Sequence, residues 1–492
     1  MLHSIEQKLI ARIREQIRVQ FGPDLPAGLE QPKQSSFGEL AIPAAFQLAR
    51  ELKQAPRAIA QQLVEGLGAI DGIAALEVAG NGYINVRFHR GAYGAGVLRH
   101  VAGAVAASGG KVIVEHTNIN PNKAAHIGHL RNAILGDTFV RMLRATGREV
   151  EVQNYIDNTG VQVADVVAGF HYLDKTTPAE VERLSKQTHP RFDYLCWDLY
   201  ARTSAYFGEH PEALAWRHDI LHAIESGTGE IAELAHLVAD TIVRAHLQTM
   251  ARLGVEYDVL PRESEILHMQ FWATAFEQLK ERKAIHFETA GKNAGCWVME
   301  SAAFREEEGE DRSKVIVRSN GTVTYVGKDI AYQLWKFGLL GKDFHYRRWG
   351  EAWRTTAEPS EPGAPAFGGA TRVYNVIDSR QSYLQDVVVA GLQALGYAEQ
   401  AANSIHFSYE MVALTPGTCV ELGITLSEED KRKPYVEVSG RKGLGVKADD
   451  LIDALIAKAL LEVDNRHPDD PAVERTAVAT QIAIGALRYF ML

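Results

Sequence analysis

The stretch 111-KVIVEHTNINPNKAAHIGHLRNAILGD-137 fixes the reading of the fold. It opens with a short β-branched run, Lys111 to Glu115, and passes through a turn rich in Asn and Pro. It then enters a pattern that sets Leu135, Phe139, Met142 and Leu143 at i, i+4, i+7 and i+8, the spacing of an amphipathic helix. Gly147 stands where that helix needs a left-handed C-terminal cap. The next run, 148-REVEVQNYI-156, alternates as a strand does, so the whole reads as a βαβ unit.

A strand, a tight loop and a helix N-terminus make the natural anion site of a doubly wound sheet, because free backbone N–H groups and the positive end of the helix dipole meet there. His126 and His129 are three residues apart on the first turn, so both imidazoles can donate hydrogen bonds to one charged group. Gly128 between them removes a side chain where a ring or phosphate must approach closely. Lys123 and Arg131 add positive charge, and the cluster suits a phosphoryl centre that gains negative charge during reaction. His-x-x-His alone also fits a helical surface pair or part of a metal site, although the Glu of a His-Glu-x-x-His zinc motif is missing.

Composition frames this local concentration of positive charge. The chain has 492 residues, 46% hydrophobic and 23% charged, with a formal net charge of −10, which suits an ordinary soluble protein of about three domains and excludes one that coats nucleic acid indiscriminately. Cys196, Cys296 and Cys419 have neither an even count nor a Cys-x-x-Cys spacing, so they read as reduced thiols of a cytoplasmic protein. No apolar run reaches the roughly 20 residues that span a bilayer. The first helix, with Ile5, Leu9, Ile13 and Ile17 on one face and Glu6 and Glu15 interrupting, is a packing helix and neither a signal nor a transit peptide.

The tetrad His126-Ile-Gly-His129, placed after a strand and an Asn/Pro turn, resembles the first signature of class I aminoacyl-tRNA synthetases. The longer stretch, together with FDYLCWDLY (192–200), YDVLPRESEIL (257–267), VRSNGTVTYVGKDIAYQLWKFGLL (317–340) and VIDSRQSYLQ (376–385), resembles the arginyl-tRNA synthetases in the form typical of archaea and some bacteria. The fold class this implies is α/β: a Rossmann-type, HUP-like parallel-sheet core with a mostly helical insertion, an N-terminal α/β domain and a short C-terminal helical segment. The expected boundaries are 1–108 for the N-terminal additional domain, ending at the Gly109-Gly110 break, and 109–400 for the catalytic domain with its insertion at about 165–310. Residues 401–492 hold the second signature loop and the start of a helical bundle.

The resemblance implies arginine activation by ATP with substrate-bound Mg²⁺, no protein metal site, and transfer to tRNA(Arg), with activation itself dependent on bound tRNA. The second class I signature corresponds to 437-EVSGRKG-443, whose Ser439, Gly440, Arg441 and Lys442 are expected to fold over ATP. Glu437 and Val438 replace the usual Lys-Met, and the resemblance implies that Lys123 supplies the missing lysine. Choosing arginine over lysine needs a carboxylate set for a forked guanidinium. Tyr325 and Asp329, four residues apart, are implied to provide this, although Asp329 could instead cap its helix. Glu115, Asn120 and Gln381 are implied to hold the ends of the amino acid, and Tyr83 and Asn85 in 80-GNGYINVRF-88 to touch the tRNA elbow by stacking on and hydrogen-bonding to an unpaired base, although the segment also fits a strand with a buried Tyr.

The chain is expected to be a monomer. The resemblance also implies a helical anticodon-binding domain beyond Leu492, so the sequence is read as lacking that part: a truncated or split copy, or an enzyme that dispenses with anticodon reading. Alternatives are a paralogue that activates arginine for another acceptor and a non-catalytic RNA-binding remnant.

Overall fold

The computed structural model describes residues 2–22, 28–102, 109–300, 313–321, 323–421, 425–437 and 445–492. They fall into two compact units, Met1–Ala106 and Ala107–Leu492.

In the first unit the long N-terminal helix, Leu2–Phe21, buries Leu9, Ile13 and Ile17 as its periodicity demands. Helices Ala44–Leu52 and Pro56–Leu67 join it over one face of an antiparallel sheet, in which Tyr83–Phe88 lies between Leu40–Ile42 and Ile73–Ala79. Ile84, Val86 and Phe88 point into that core.

The second unit is built on a seven-stranded sheet. Its strands are β1 (Val112–Glu115), β2 (Val150–Gln153), β3 (Val259–Leu260), β4 (His345–Trp349), β5 (Ala352–Thr356), β6 (Arg372–Asp378) and β7 (Ser404–Tyr409), in spatial order β4-β5-β3-β2-β1-β6-β7. All neighbours pair in parallel except β4 with β5. β1 and β2 are buried along their whole length; β1 reads as an apolar run, whereas β2 alternates because its buried Glu151 and Gln153 are hydrogen-bonded to Lys111 and to each other. The order reverses direction between β1 and β6, and the crevice at this switch point is where a doubly wound sheet takes its ligand.

Helix α1 (Ile127–Ala145) crosses from β1 to β2 and ends as expected, with Gly147 at φ 80° and Arg148 N–H donating to the Leu143 carbonyl. Gly136 is required for packing: a Cβ there would lie 2.2 Å from Cγ of His116, which is buried beneath the helix. The span expected as a mostly helical insertion at about 165–310 is mostly helical among its described residues and falls into two parts. Five α-helices between Val161 and Arg252, including α2 (Phe192–Glu209) and α3 (Glu230–Arg252), pack around Val163, Phe170, Leu199 and Ile242. The chain then returns to the main sheet as β3, and a separate three-stranded sheet follows, His286–Phe287, Trp297–Glu300 and Ser313–Val317.

Helix α4 (Tyr325–Lys336) follows a turn in which Gly321 N–H donates to the Arg318 carbonyl. Only Gly321 has positive φ, so the turn centres on Ser319-Asn320 with glycine at its exit, and Asn320-Gly321, a pair that suits a type I′ turn, does not form one. Helices α5 (Ala448–Arg466) and α6 (Ala472–Phe490) form a hairpin whose Ile452, Leu487 and Met491 share a core with Ile127 and Leu130 of α1. No helix among the described residues is long and apolar enough to cross a membrane. The three cysteines are free thiols, Cys196 and Cys419 buried and Cys296 partly exposed.

Candidate active site

A cavity of about 750 Å³ opens over the carboxyl ends of β1 and β6. Its wall includes Glu115, Asn120, Lys123, His126, Gly128, His129, Asp329 and Gln381. The structure therefore brings together, in one place, residues that the sequence spreads over more than half the chain. Arg131 is not part of this wall, and its expected charge is not delivered there. Ser439, Gly440, Arg441 and Lys442 lie outside the described residues, and so does the side chain of Tyr325.

Between β1 and α1 the backbone is turned by two consecutive left-handed residues, Thr117 at φ 78° and Asn118 at φ 44°. Asparagines secure this strained corner: Thr117 N–H donates to Asn132 Oδ1, Asn118 N–H to Asn154 Oδ1, and Tyr155 N–H to Asn118 Oδ1. The corner sets the start of α1, where two imidazoles stack with centroids 3.6 Å apart. His126 Nδ1 accepts from Gly128 N–H at 3.2 Å, and His129 Nδ1 accepts from His126 N–H at 3.1 Å. With both Nδ1 atoms used as acceptors, each neutral ring carries its proton on Nε2. The rings are neutral because burial, then the charge of Lys123, brings His126 down to about 3, while burial and the neighbouring His126 hold His129 well below the usual histidine value. A Cβ on Gly128 would lie 3.1 Å from the His126 ring, so the glycine makes room for the imidazole itself.

The acidic end of the cavity is a network. Asp329 lies within α4 four residues after Tyr325, while Thr324 holds the N-cap position, which removes the capping role for Asp329. Burial, then the negative charges of Glu263 and Glu115, raises the Asp329 carboxyl to about 7, with Lys336 and Lys328 opposing. Asp157 is raised too, by burial and by Glu263, to which it is hydrogen-bonded. Glu263 also accepts from Thr159 Oγ1 at 2.6 Å and pairs with Lys328 at 2.8 Å. Glu115 is held on both oxygens, by Asn118 Nδ2 at 2.8 Å and by the buried Lys336 ammonium at 2.7 Å. Sequence reading missed Asp157, Glu263, Asn118 and Lys336. Lys336 has the pattern of an ordinary last-turn helix lysine, and its partner is 221 residues away.

Gln381 ends the short turn Ser379–Gln381 and stands exposed at the mouth, whereas Gln385 reaches inside and accepts from Asn375 Nδ2 at 3.0 Å. In the other unit, described by itself, Tyr83 is 40% exposed and meets Phe46 edge-on at 4.9 Å, while Asn85 is buried.

A parallel sheet with a nucleotide-type crevice, a paired-histidine turn at the first helix and a cavity spanning β1 and β6 define a class I aminoacyl-tRNA synthetase core. Residues 97–339 match the family described as tRNA synthetases class I (R), catalytic domain, and residues 3–88 match the Arginyl tRNA synthetase N terminal domain. Arginine–tRNA ligases align along the chain: that of Deinococcus radiodurans is 36% identical over 97% of this chain and 73% of its own length, and that of Thermococcus sibiricus 34% identical over 92% and 70%. The arginyl-tRNA synthetase of Thermus thermophilus superposes with a TM-score of 0.76 at 29% identity, covering 99% of this chain and 75% of that one. The chain belongs to the arginine–tRNA ligase family.

Proposed function

We propose that the chain activates arginine with ATP and transfers it to tRNA(Arg), and that the cavity divides this work between an acidic and an imidazole end. The observation that carries the reading is the charge balance of the acidic end. Among the described residues, the cations set against Glu115, Asp157, Glu263 and Asp329 are Lys328 and Lys336, so full ionisation leaves two uncompensated negative charges there. Arginine brings two cations, guanidinium and α-ammonium. On this reading Asp329 and Tyr325 take the guanidinium, with Asp157 and Glu263 behind them, and Glu115, Asn120 and Gln381 orient the amino acid's backbone groups.

ATP then lies over Gly128, with Mg²⁺ on its phosphates. The Nε2–H groups of His126 and His129 and the Lys123 ammonium meet the charge that develops as a carboxylate oxygen of arginine bonds to the α-phosphorus and the bond to pyrophosphate breaks. Neutral imidazole donors of fixed tautomer suit this task, since they need no protonation change during the step. Ser439, Gly440, Arg441 and Lys442 complete the phosphate contacts. A ribose hydroxyl at the tRNA 3′ end next attacks the carbonyl carbon and AMP leaves. Tyr83 offers an exposed ring for an unpaired tRNA base, with Asn85 beside it in the strand. Three free thiols support a reducing, cytoplasmic setting.

The test is arginine-dependent ATP–pyrophosphate exchange with and without tRNA(Arg), followed by charging. Exchange with arginine but not lysine, and charging of tRNA(Arg), is the expected result. No exchange under either condition overturns the reading.

A further inference from the structure

Helix α2 presents Tyr194, Trp197 and Tyr200 at i, i+3 and i+6, a surface on which Trp197 shares one lysine with each of the other two rings. The Lys123 ammonium lies 5.0 Å from the centroid of Tyr200 and 5.5 Å from that of Trp197. A second lysine uses the same surface: Lys447 Nζ lies 5.4 Å from the Trp197 centroid and 4.7 Å from that of Tyr194. Trp197 and Tyr200 are each only 4% exposed, so these contacts are shielded from bulk water, where cation–π attraction is strongest.

The two lysines sit at the two places where chemistry is expected. Lys123 lines the cavity three residues before His126. Lys447 follows the second signature loop and forms a β-bridge with His126, flanked by Ile127 N–H to Val446 O at 3.0 Å and Ala448 N–H to Ala125 O at 2.8 Å. The helical body around α2 also grips the backbone on both sides. The Lys123 carbonyl accepts from Nε2 of His246 on α3 at 2.7 Å, and Ala124 N–H donates to the Asp193 carbonyl at 3.0 Å. Asp449, two residues after Lys447, is bound by Thr249 and Arg252 of α3 and by Arg191 at the start of α2.

We infer that Trp197 is a positioning residue for adenylate formation: its ring is a shared face that holds Lys123 aimed into the cavity and steadies Lys447 at the base of the signature loop. This rests on the reading of Lys123 as a phosphate ligand. A lysine stem has four rotatable bonds, and a buried ring on one side removes most of its alternative rotamers before ATP arrives. Tyr200 supports the Lys123 side and Tyr194 the Lys447 side. The helical body thereby contributes to catalysis without touching substrate.

The experiment compares Trp197→Phe, Trp197→Leu, Tyr200→Leu and Lys123→Ala, and each ring variant in the Lys123→Ala background, by steady-state exchange with ATP and arginine varied separately. Thermal unfolding is followed for each protein. Trp197→Leu is expected to lower kcat/KM for ATP by roughly 10-fold, the scale of one desolvated cation–π contact. The KM for arginine should stay within about twofold, since the acidic end is untouched, and Trp197→Phe, which restores a ring, should recover most of the loss. In the Lys123→Ala background the additional cost of Trp197→Leu should nearly vanish. If Trp197→Leu fails to fold, Tyr200→Leu carries the same comparison. Equal losses in both backgrounds, or no rescue by Phe, would overturn the clamp while leaving Lys123 as a ligand. A silent Lys123→Ala would overturn the phosphate reading first, and the clamp with it.

Discussion

At the scale of single residues, the two ends of the cavity respond to pH in different ways. Asp329, raised to about 7, holds a proton through part of the neutral range and must give it up to meet a guanidinium. Lowering the pH through 7 therefore adds a competitor for the site, so the KM for arginine should rise as pH falls from 8 to 6, while KM for ATP changes little. Calorimetry of arginine binding at pH 7 in buffers of different ionisation enthalpy should show net proton release. A KM for arginine that is flat across this range would contradict the role given to Asp329. The imidazoles behave oppositely, since both are neutral throughout the same range. His129→Ala should cut the exchange rate on the order of 10²-fold with a smaller effect on KM for arginine, as loss of a donor used in the transition state does. An unchanged rate would remove that donor role.

At the scale of elements, what could be read from the sequence is what depends on neighbours in the chain. The strand, the turn, helix α1 and its glycine cap follow from spacing within about forty residues; of the face read for α1, Leu135, Phe139 and Leu143 pack partly buried, while Met142 is exposed. The position of Asp329 four residues into helical spacing from Tyr325 was legible for the same reason. Partners across the fold were not. Lys336 closes a buried ion pair with Glu115 because α4 runs beside β1, and no local pattern in 333-QLWKFG-338 announces that. Likewise the return of Val259–Leu260 to the main sheet is only two residues long, too short for a period to declare itself. The buried pair gives a direct check. Lys336→Met should destabilise the protein by about 3–5 kcal/mol in urea denaturation, because it leaves Glu115 charged and uncompensated. Glu115→Gln in that background should recover part of the loss. A cost below about 1 kcal/mol, the range of exposed pairs, would show that the pair is open to water.

At the scale of the whole molecule, an acidic chain sets Lys123 and two imidazole donors where a phosphate is expected and its carboxylates where a cationic side chain is expected. Each of the two units has a core of its own, Leu9, Leu48 and Val86 in one and Val114, Leu130 and Ile452 in the other. The distribution of cysteines has a practical side. Cys196, next to Trp197, is sealed inside the helical body and its thiol is pushed well up by burial, and Cys419 is buried too and raised in the same way. Cys296 alone is partly exposed, at the edge of the small sheet and adjacent to Trp297. A disulfide reagent should titrate one thiol in the folded protein and three after denaturation; fast reaction of a second thiol would show that one of the buried sites opens. The native chain thus carries a single addressable handle. A fluorophore placed there, beside an indole that can quench it, would report optically on that small sheet as substrates are added, with no engineered cysteine required.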